Sequence, residues 1–253
     1  MNHFVTETNG LRMPRDASAR RHPDGPPLGP VATVALGLAL IGVLLPAAIA
    51  GRVYPSPFES SSQVTGYFAD HPFAAVLTAL FTFGSAIPLA IVAASASVRL
   101  NRLGVRVPGP TIALAGGLLA SASLAISGLV TWVLSRPELA DAGAGITRRA
   151  LHDLAFALGG PGFVVPLGLL LAGIAVPSVI VGLVPRWLAW AGLALAAVCE
   201  VATLTLLWDG FTVLLPVGRF LGLVWLVVVG FALPRDRREV PRGERRAWRR
   251  TSH

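Results

Sequence analysis

The sequence predicts an all-α fold: a polytopic transmembrane bundle of six spanning helices, one of them broken by a Gly/Pro cluster near its outer end. Two observations carry this. Hydrophobic residues make up 54% of the 253 positions and charged residues only 13%, against about 25% charged in soluble domains, and mean hydropathy is +0.67. The apolar residues also fall into six runs of about 20, the length that crosses a hydrocarbon core about 30 Å thick. Runs this long and uniform exclude barrel strands, which alternate over about ten residues.

The elements follow in order. Residues 1–30 carry Pro14, Pro23, Pro26, Pro27 and Pro30 among scattered charges and predict a disordered lead. The first span, 31–50, closes on Ala48-Ile49-Ala50, which resembles a signal-peptidase site; the long proline-rich region before it favours an uncleaved anchor. In the second span, 73–97, Thr78, Thr82 and Ser85 share one face, where hydroxyls bond back to helix carbonyls. The third, 110–134, has a small-residue stripe of Ala113, Gly117, Ser121 and Ala125.

A short helical piece, 149–158, then precedes Gly159-Gly160-Pro161-Gly162 and the fourth span, 161–184. It reads as a re-entrant or interfacial segment leading into a spanning helix. Discontinuous helices line sites in transporters, although kinks without a site are common. The fifth span, 188–208, has the stripe Ala189, Gly192, Ala196, Glu200 and Thr203, and the sixth, 211–233, the step Gly218 to Gly222. Small faces let helices approach closely, so the fifth-span stripe predicts Glu200 turned toward a neighbouring helix. Pro46, Pro88, Pro166, Pro177 and Pro216 lie inside spans; each removes a backbone hydrogen bond, and the freed carbonyl needs another partner.

Arginine supplies every basic side chain except histidine, and its distribution orients the bundle. With the termini cytoplasmic, that side holds Arg12, Arg15, Arg20, Arg21, Arg99, Arg102, Arg106, Arg186 and the arginines of the 235–253 tail; the other side holds only Arg52, Arg136, Arg148 and Arg149. The positive-inside bias therefore predicts a multi-pass protein of the bacterial inner membrane with both termini cytoplasmic. Trp187 and Trp190 at the inner boundary and Trp132 and Trp208 at the outer one fit the aromatic belts. In the tail, Arg245, Arg246, Trp248, Arg249 and Arg250 are set to contact anionic lipid, where each basic residue is worth about 1 kcal/mol. Nucleic-acid binding would need a folded module, which the tail lacks.

Two constellations could carry chemistry. Glu200 and Arg219 each lie about nine residues from the Trp208-Asp209-Gly210 turn, roughly 13 Å below one membrane face at about 1.5 Å rise per residue. Ionisable groups at that depth mark a functional-site hypothesis; the two are expected to pair, as a structural staple or as a proton-linked gate. On the outer side, Asp70-His71 and His152-Asp153 both precede a span, and their convergence would make an N/O set suited to zinc, a weak metal candidate because adjacent helix residues do not face one another. Cys199 is the single cysteine and reads as a small buried hydrophobe. No HExxH, GxSxG, Walker A or dinucleotide fingerprint occurs, so no cofactor is implied and the usual hydrolases and nucleotide-driven pumps have no support.

From about residue 65 to 234, the segments Tyr67-Phe-Ala-Asp-His-Pro72, Leu151-His-Asp-Leu-Ala-Phe156 with Gly159-Gly-Pro-Gly162, Leu183-Val-Pro-Arg-Trp-Leu-Ala-Trp-Ala-Gly-Leu193 and Leu215-Pro-Val-Gly-Arg-Phe220 ahead of Trp225 resemble a family of uncharacterised actinobacterial polytopic membrane proteins, catalogued as membrane domains of unknown function. The resemblance implies the fold and brings no activity. Three readings follow: small-solute or proton-linked transport, permeation or sensing through the Glu200/Arg219 pair; a structural or accessory subunit that binds another membrane protein, or a second copy, through its small-residue faces; and an intramembrane or lipid-modifying enzyme using the outer His/Asp set.

Overall fold

A computed structural model describes residues 26–139 and 145–234. The tail, with Arg245, Arg246, Trp248, Arg249 and Arg250, and most of the N-terminal lead lie outside the described residues. The fold is helical, and six helices are long and apolar enough to cross a membrane. They are α1 (Leu28–Ala50), α3 (Pro72–Arg102), α4 (Gly109–Leu134), α6 (Pro161–Val181), α7 (Arg186–Val201) with its 3-10 extension Ala202–Leu206, and a composite last span. That span winds through a 3-10 turn (Asp209–Val213), α8 (Leu214–Pro216), a π-helical turn (Val217–Leu221) and α9 (Gly222–Ala232). Two shorter helices, α2 (Ser61–Asp70) and α5 (Gly145–Gly159), cover one end of the bundle.

Helix α1 begins at Leu28, inside what the sequence predicts as disordered lead. The reason is local: Pro27 caps the helix and Pro30 sits in its first turn, where proline's missing N–H costs nothing. Helix α2 is absent from the sequence reading, yet a capping box announces it. Ser60 Oγ accepts from the Gln63 N–H at 3.3 Å, and Gln63 Oε1 accepts from the Ser60 N–H at 3.1 Å, satisfying two of the donors that a helix start leaves open. Helix α5 is longer than the expected 149–158, and Gly160 turns the chain at φ −91°, ψ −107° between α5 and α6. A straight helix over Gly145–Val181 would be about 55 Å long at about 1.5 Å per residue, so the break is what fits this segment to the bundle.

Helix α6 is the hub. Phe163, Val164, Leu167, Leu170 and Leu171 are fully covered, and glycines bring α4, α7 and the last span close to it. A Cβ on Gly173 would stand 2.4 Å from the Ala113 nitrogen of α4, one on Gly168 2.7 Å from the Cys199 Cβ of α7, and one on Gly218 of the last span 2.8 Å from Val164 Cγ1. Elsewhere, one on Gly117 would stand 2.2 Å from the Ala93 Cβ of α3 and one on Gly192 2.2 Å from the Trp225 ring. Trp225 Nε1 is itself fixed by donating to the Leu188 carbonyl at 2.8 Å. Ser121 of the α4 stripe donates to the Ala86 carbonyl at 3.0 Å. The glycines of these faces and Ser121 are thus spent on packing within the chain, while Glu200 and Thr203 of the fifth-span stripe are exposed. On α3, Thr78 and Ser85 bond back to the carbonyls of Ala74 and Thr82, as their spacing predicts.

The start of α1 and the close of α9 lie at the same end of the bundle, since a Cβ on Gly230 would lie 2.8 Å from the Gly29 nitrogen. The opposite, distal end carries residues 51–60, α2 and α5. Arg52 pairs with Glu59 at 3.4 Å, and the other Glu59 carboxylate oxygen accepts from the Ser56 N–H at 2.9 Å. Arg149 of α5 ties this loop down by donating to the carbonyls of Pro57 and Glu59.

Candidate functional site

Glu200 and Arg219 lie at one level of the bundle, since their neighbours Cys199 and Gly218 meet, a Cβ on Gly218 standing 3.0 Å from the cysteine sulfur. They do not pair. Among the described ion pairs none joins them. Glu200 is exposed and lies against Gly168 of α6, whose Cβ would be 3.2 Å from Glu200 Oε1. The Arg219 guanidinium sits 5.3 Å from the Phe163 ring centroid and 5.8 Å from that of Phe220, and its Nε has no hydrogen-bond partner. The buried line on α7 runs through Ala189, Gly192, Ala196, Cys199 and Ala202. From Ala196 it steps three residues to Cys199, not four to Glu200, so the carboxylate falls about 100° off the packed face.

The outer His/Asp set does not converge either. Among the described residues no group of three or more His, Cys, Asp or Glu could hold a metal ion. Asp70 is exposed, and the His71 ring lies 5.7 Å from Tyr67. His152 is fully covered, stacked on Tyr54 at 5.6 Å with Phe68 edge-on at 6.1 Å, and its Nε2 donates to the Pro55 carbonyl at 3.1 Å. Asp153, next in sequence, gives one carboxylate oxygen to Arg149 Nε at 3.1 Å, while the other stands 3.7 Å from His152 Nδ1. His152 and Asp153 thus stay in contact with each other, but Asp70 and His71 do not join them in a cluster.

What the fold does assemble is a covered polar interior in the distal cap. Arg148, Leu151, His152 and Ala155, at helical spacing, form the face of α5 that meets Val64, Tyr67 and Phe68 of α2. Arg148 is only 2% exposed; it donates one long bond, 3.4 Å, to the Thr65 carbonyl, and its Nε is unpartnered. Tyr54 and Tyr67, the two tyrosines of the chain, carry covered hydroxyls without a hydrogen-bond partner, and His152 Nδ1 is in the same condition. Burial pushes both phenols above their ordinary range, opposed at Tyr54 by the neighbouring Thr131 hydroxyl and at Tyr67 by the Arg52 guanidinium, 5.6 Å from its ring. Both hydroxyls therefore stay protonated and able to donate.

Beneath the cap, hydroxyls continue along α4. Thr131 donates to the Ser127 carbonyl at 2.9 Å, and Ser127 donates to the Ala155 carbonyl at 2.8 Å, which ties α5 to the bundle just above its break. Sequence reading missed Tyr54, Tyr67 and Arg148. The available signals were the four-residue spacing of Arg148 and His152 and the Ser60/Gln63 capping box, which together place a polar α5 face beside a second short helix. Comparison of the chain with protein-family models, with curated proteins and with solved structures gives no match, so the site rests on its own geometry.

Proposed function

We propose that this is a multi-pass protein of the bacterial inner membrane, with cytoplasmic termini, that acts in small-solute transport, permeation or sensing through its distal cap, which faces outward. The arginine distribution supports the orientation, and a reporter fused at Gly104 should read the cytoplasmic side; an outside signal there would reverse it. The observation that carries the solute reading is the unspent hydrogen-bonding capacity inside the cap: Tyr54 and Tyr67 hydroxyls, Arg148 Nε, and His152 Nδ1 with the Asp153 Oδ1 that stands 3.7 Å from it, all covered. A buried polar group without a partner costs about 1–3 kcal/mol, and a polar solute offsets that cost. The site thus moves from the Glu200/Arg219 pair, which is not formed, to the cap. The arginine tail is proposed to hold anionic lipid at the cytoplasmic face.

The test is thermal unfolding of the purified protein with glucose, choline, glycine and inorganic phosphate, covering neutral, cationic, zwitterionic and anionic classes. At least one class should raise the melting temperature by several degrees, and by less in the Tyr54→Phe/Tyr67→Phe variant, which keeps both rings and loses both hydroxyls. No stabilisation by any class would reduce the cap to a structural feature.

A second reading, an accessory subunit, draws on Glu200. A carboxylate exposed at mid-depth is expensive in lipid and would be relieved by a partner helix with a donor there. Its support is the exposed side of α7 around Glu200 and Thr203, since the glycines of the small-residue faces pack within the bundle. The enzyme reading loses its assembled His/Asp set.

A further inference from the structure

Charge accounting inside the cap narrows the solute class and rests on the solute reading above. Of the arginines of the cap, Arg52 holds Glu59 at 3.4 Å and Arg149 holds one oxygen of Asp153 at 3.1 Å, the other Asp153 oxygen standing 3.7 Å from His152 Nδ1. Arg148, the most covered of the three, has no carboxylate among the described residues and one 3.4 Å bond to the Thr65 carbonyl. A guanidinium carries five donors and cannot shed its charge, and a covered cation without a counter-charge is strongly destabilising. The covered hydroxyls of Tyr54 and Tyr67, in the same cap, are donors as well, Tyr54 lying beside the Thr131 hydroxyl. Among the described residues the covered face around Arg148 therefore offers a cation and hydroxyl donors, with the Asp153 carboxylate set between Arg149 and His152.

We infer that Arg148 anchors an oxyanion site in the distal cap, whose ligand is a phosphate-type group, with the Tyr67 and Tyr54 hydroxyls as supporting donors. The planar guanidinium fork suits two oxygens of such a group, as an ammonium does not. Arg148 and His152 project from one face of α5 toward α2, so an anion held there bridges the two helices that close the cap. The group is either free phosphate or the phosphate of a lipid headgroup, because the cap stands at the membrane boundary.

Thermal unfolding in phosphate-free maltoside micelles distinguishes these sources. Inorganic phosphate at millimolar concentration should raise the melting temperature by several degrees beyond sodium chloride of equal ionic strength, and Arg148→Gln should abolish the shift. If phosphatidylglycerol gives an Arg148-dependent shift and inorganic phosphate does not, the ligand is the headgroup. No shift from either, or an equal shift in Arg148→Gln, overturns the inference. Should Arg148→Gln fail to fold, Arg148→Lys decides, since retained charge without the fork predicts at least tenfold weaker phosphate or headgroup binding and unchanged affinity contradicts it. Stabilisation by glucose or glycine through the tyrosines, with no phosphate effect, would leave the cap reading standing and this one refuted.

Discussion

Cys199 and Gly218 meet between α7 and the π-helical turn, where a Cβ on Gly218 would stand 3.0 Å from the cysteine sulfur. This contact fixes the direction of both neighbours: Glu200 turns to Gly168, and Arg219 turns to Phe163. Two charges at one depth are held apart by the close approach of the helices that carry them.

Glu200→Gln and Arg219→Gln should accordingly act independently. Their effects on unfolding free energy should add to within about 0.5 kcal/mol, as for sites without a shared interaction, and Glu200→Gln alone should leave the isolated protein as stable as before or more so. Arg219→Gln should cost about 0.5–2 kcal/mol through loss of the contact with the Phe163 ring. A coupling above about 1 kcal/mol in the double-mutant cycle would show that the pair forms after all.

The glycine contacts predict a graded series. Gly173→Ala drives a methyl into the Ala113 backbone and Gly117→Ala into the Ala93 side chain, whereas nothing lies within 4 Å of a Cβ on Gly37. Overpacking of this kind costs about 1–3 kcal/mol or more. Gly173→Ala should be the worst, because backbone cannot rotate away, and Gly37→Ala should be neutral or slightly stabilising. Equal effects at all three positions in a denaturation series would contradict the packing.

The six spans and the Gly159–Gly162 break were legible because each is a property of consecutive residues: apolar length in the first case, and a Gly/Pro cluster in the second. Depth was legible for the same reason, and Glu200 and Arg219 do lie level. Azimuth was not. It depends on whether a buried stripe steps by three or by four after Ala196, and Cys199 and Glu200 both continue it in sequence. The cap was hidden because Tyr54, Tyr67, Arg148 and His152 come from a loop and two short helices up to about a hundred residues apart, and only the docking of α5 on α2 makes them neighbours.

The central claim, a closed polar cap around Tyr54, Tyr67 and Arg148, is tested most directly by an alkaline titration of tyrosinate absorbance. The chain has two tyrosines, and both lie in the cap, so the signal reports nothing else. Folded phenols raised by burial keep their protons above the ordinary value of about 10. Their contribution to stability is present below about pH 10 and is lost as pH rises through the folded values. The folded protein should show little tyrosinate until the pH is clearly above 10, and then a steep rise as the cap opens, while the denatured chain titrates near 10. Ordinary titration of both tyrosines in the folded protein would mean that water reaches the phenols, and that the cap is not closed.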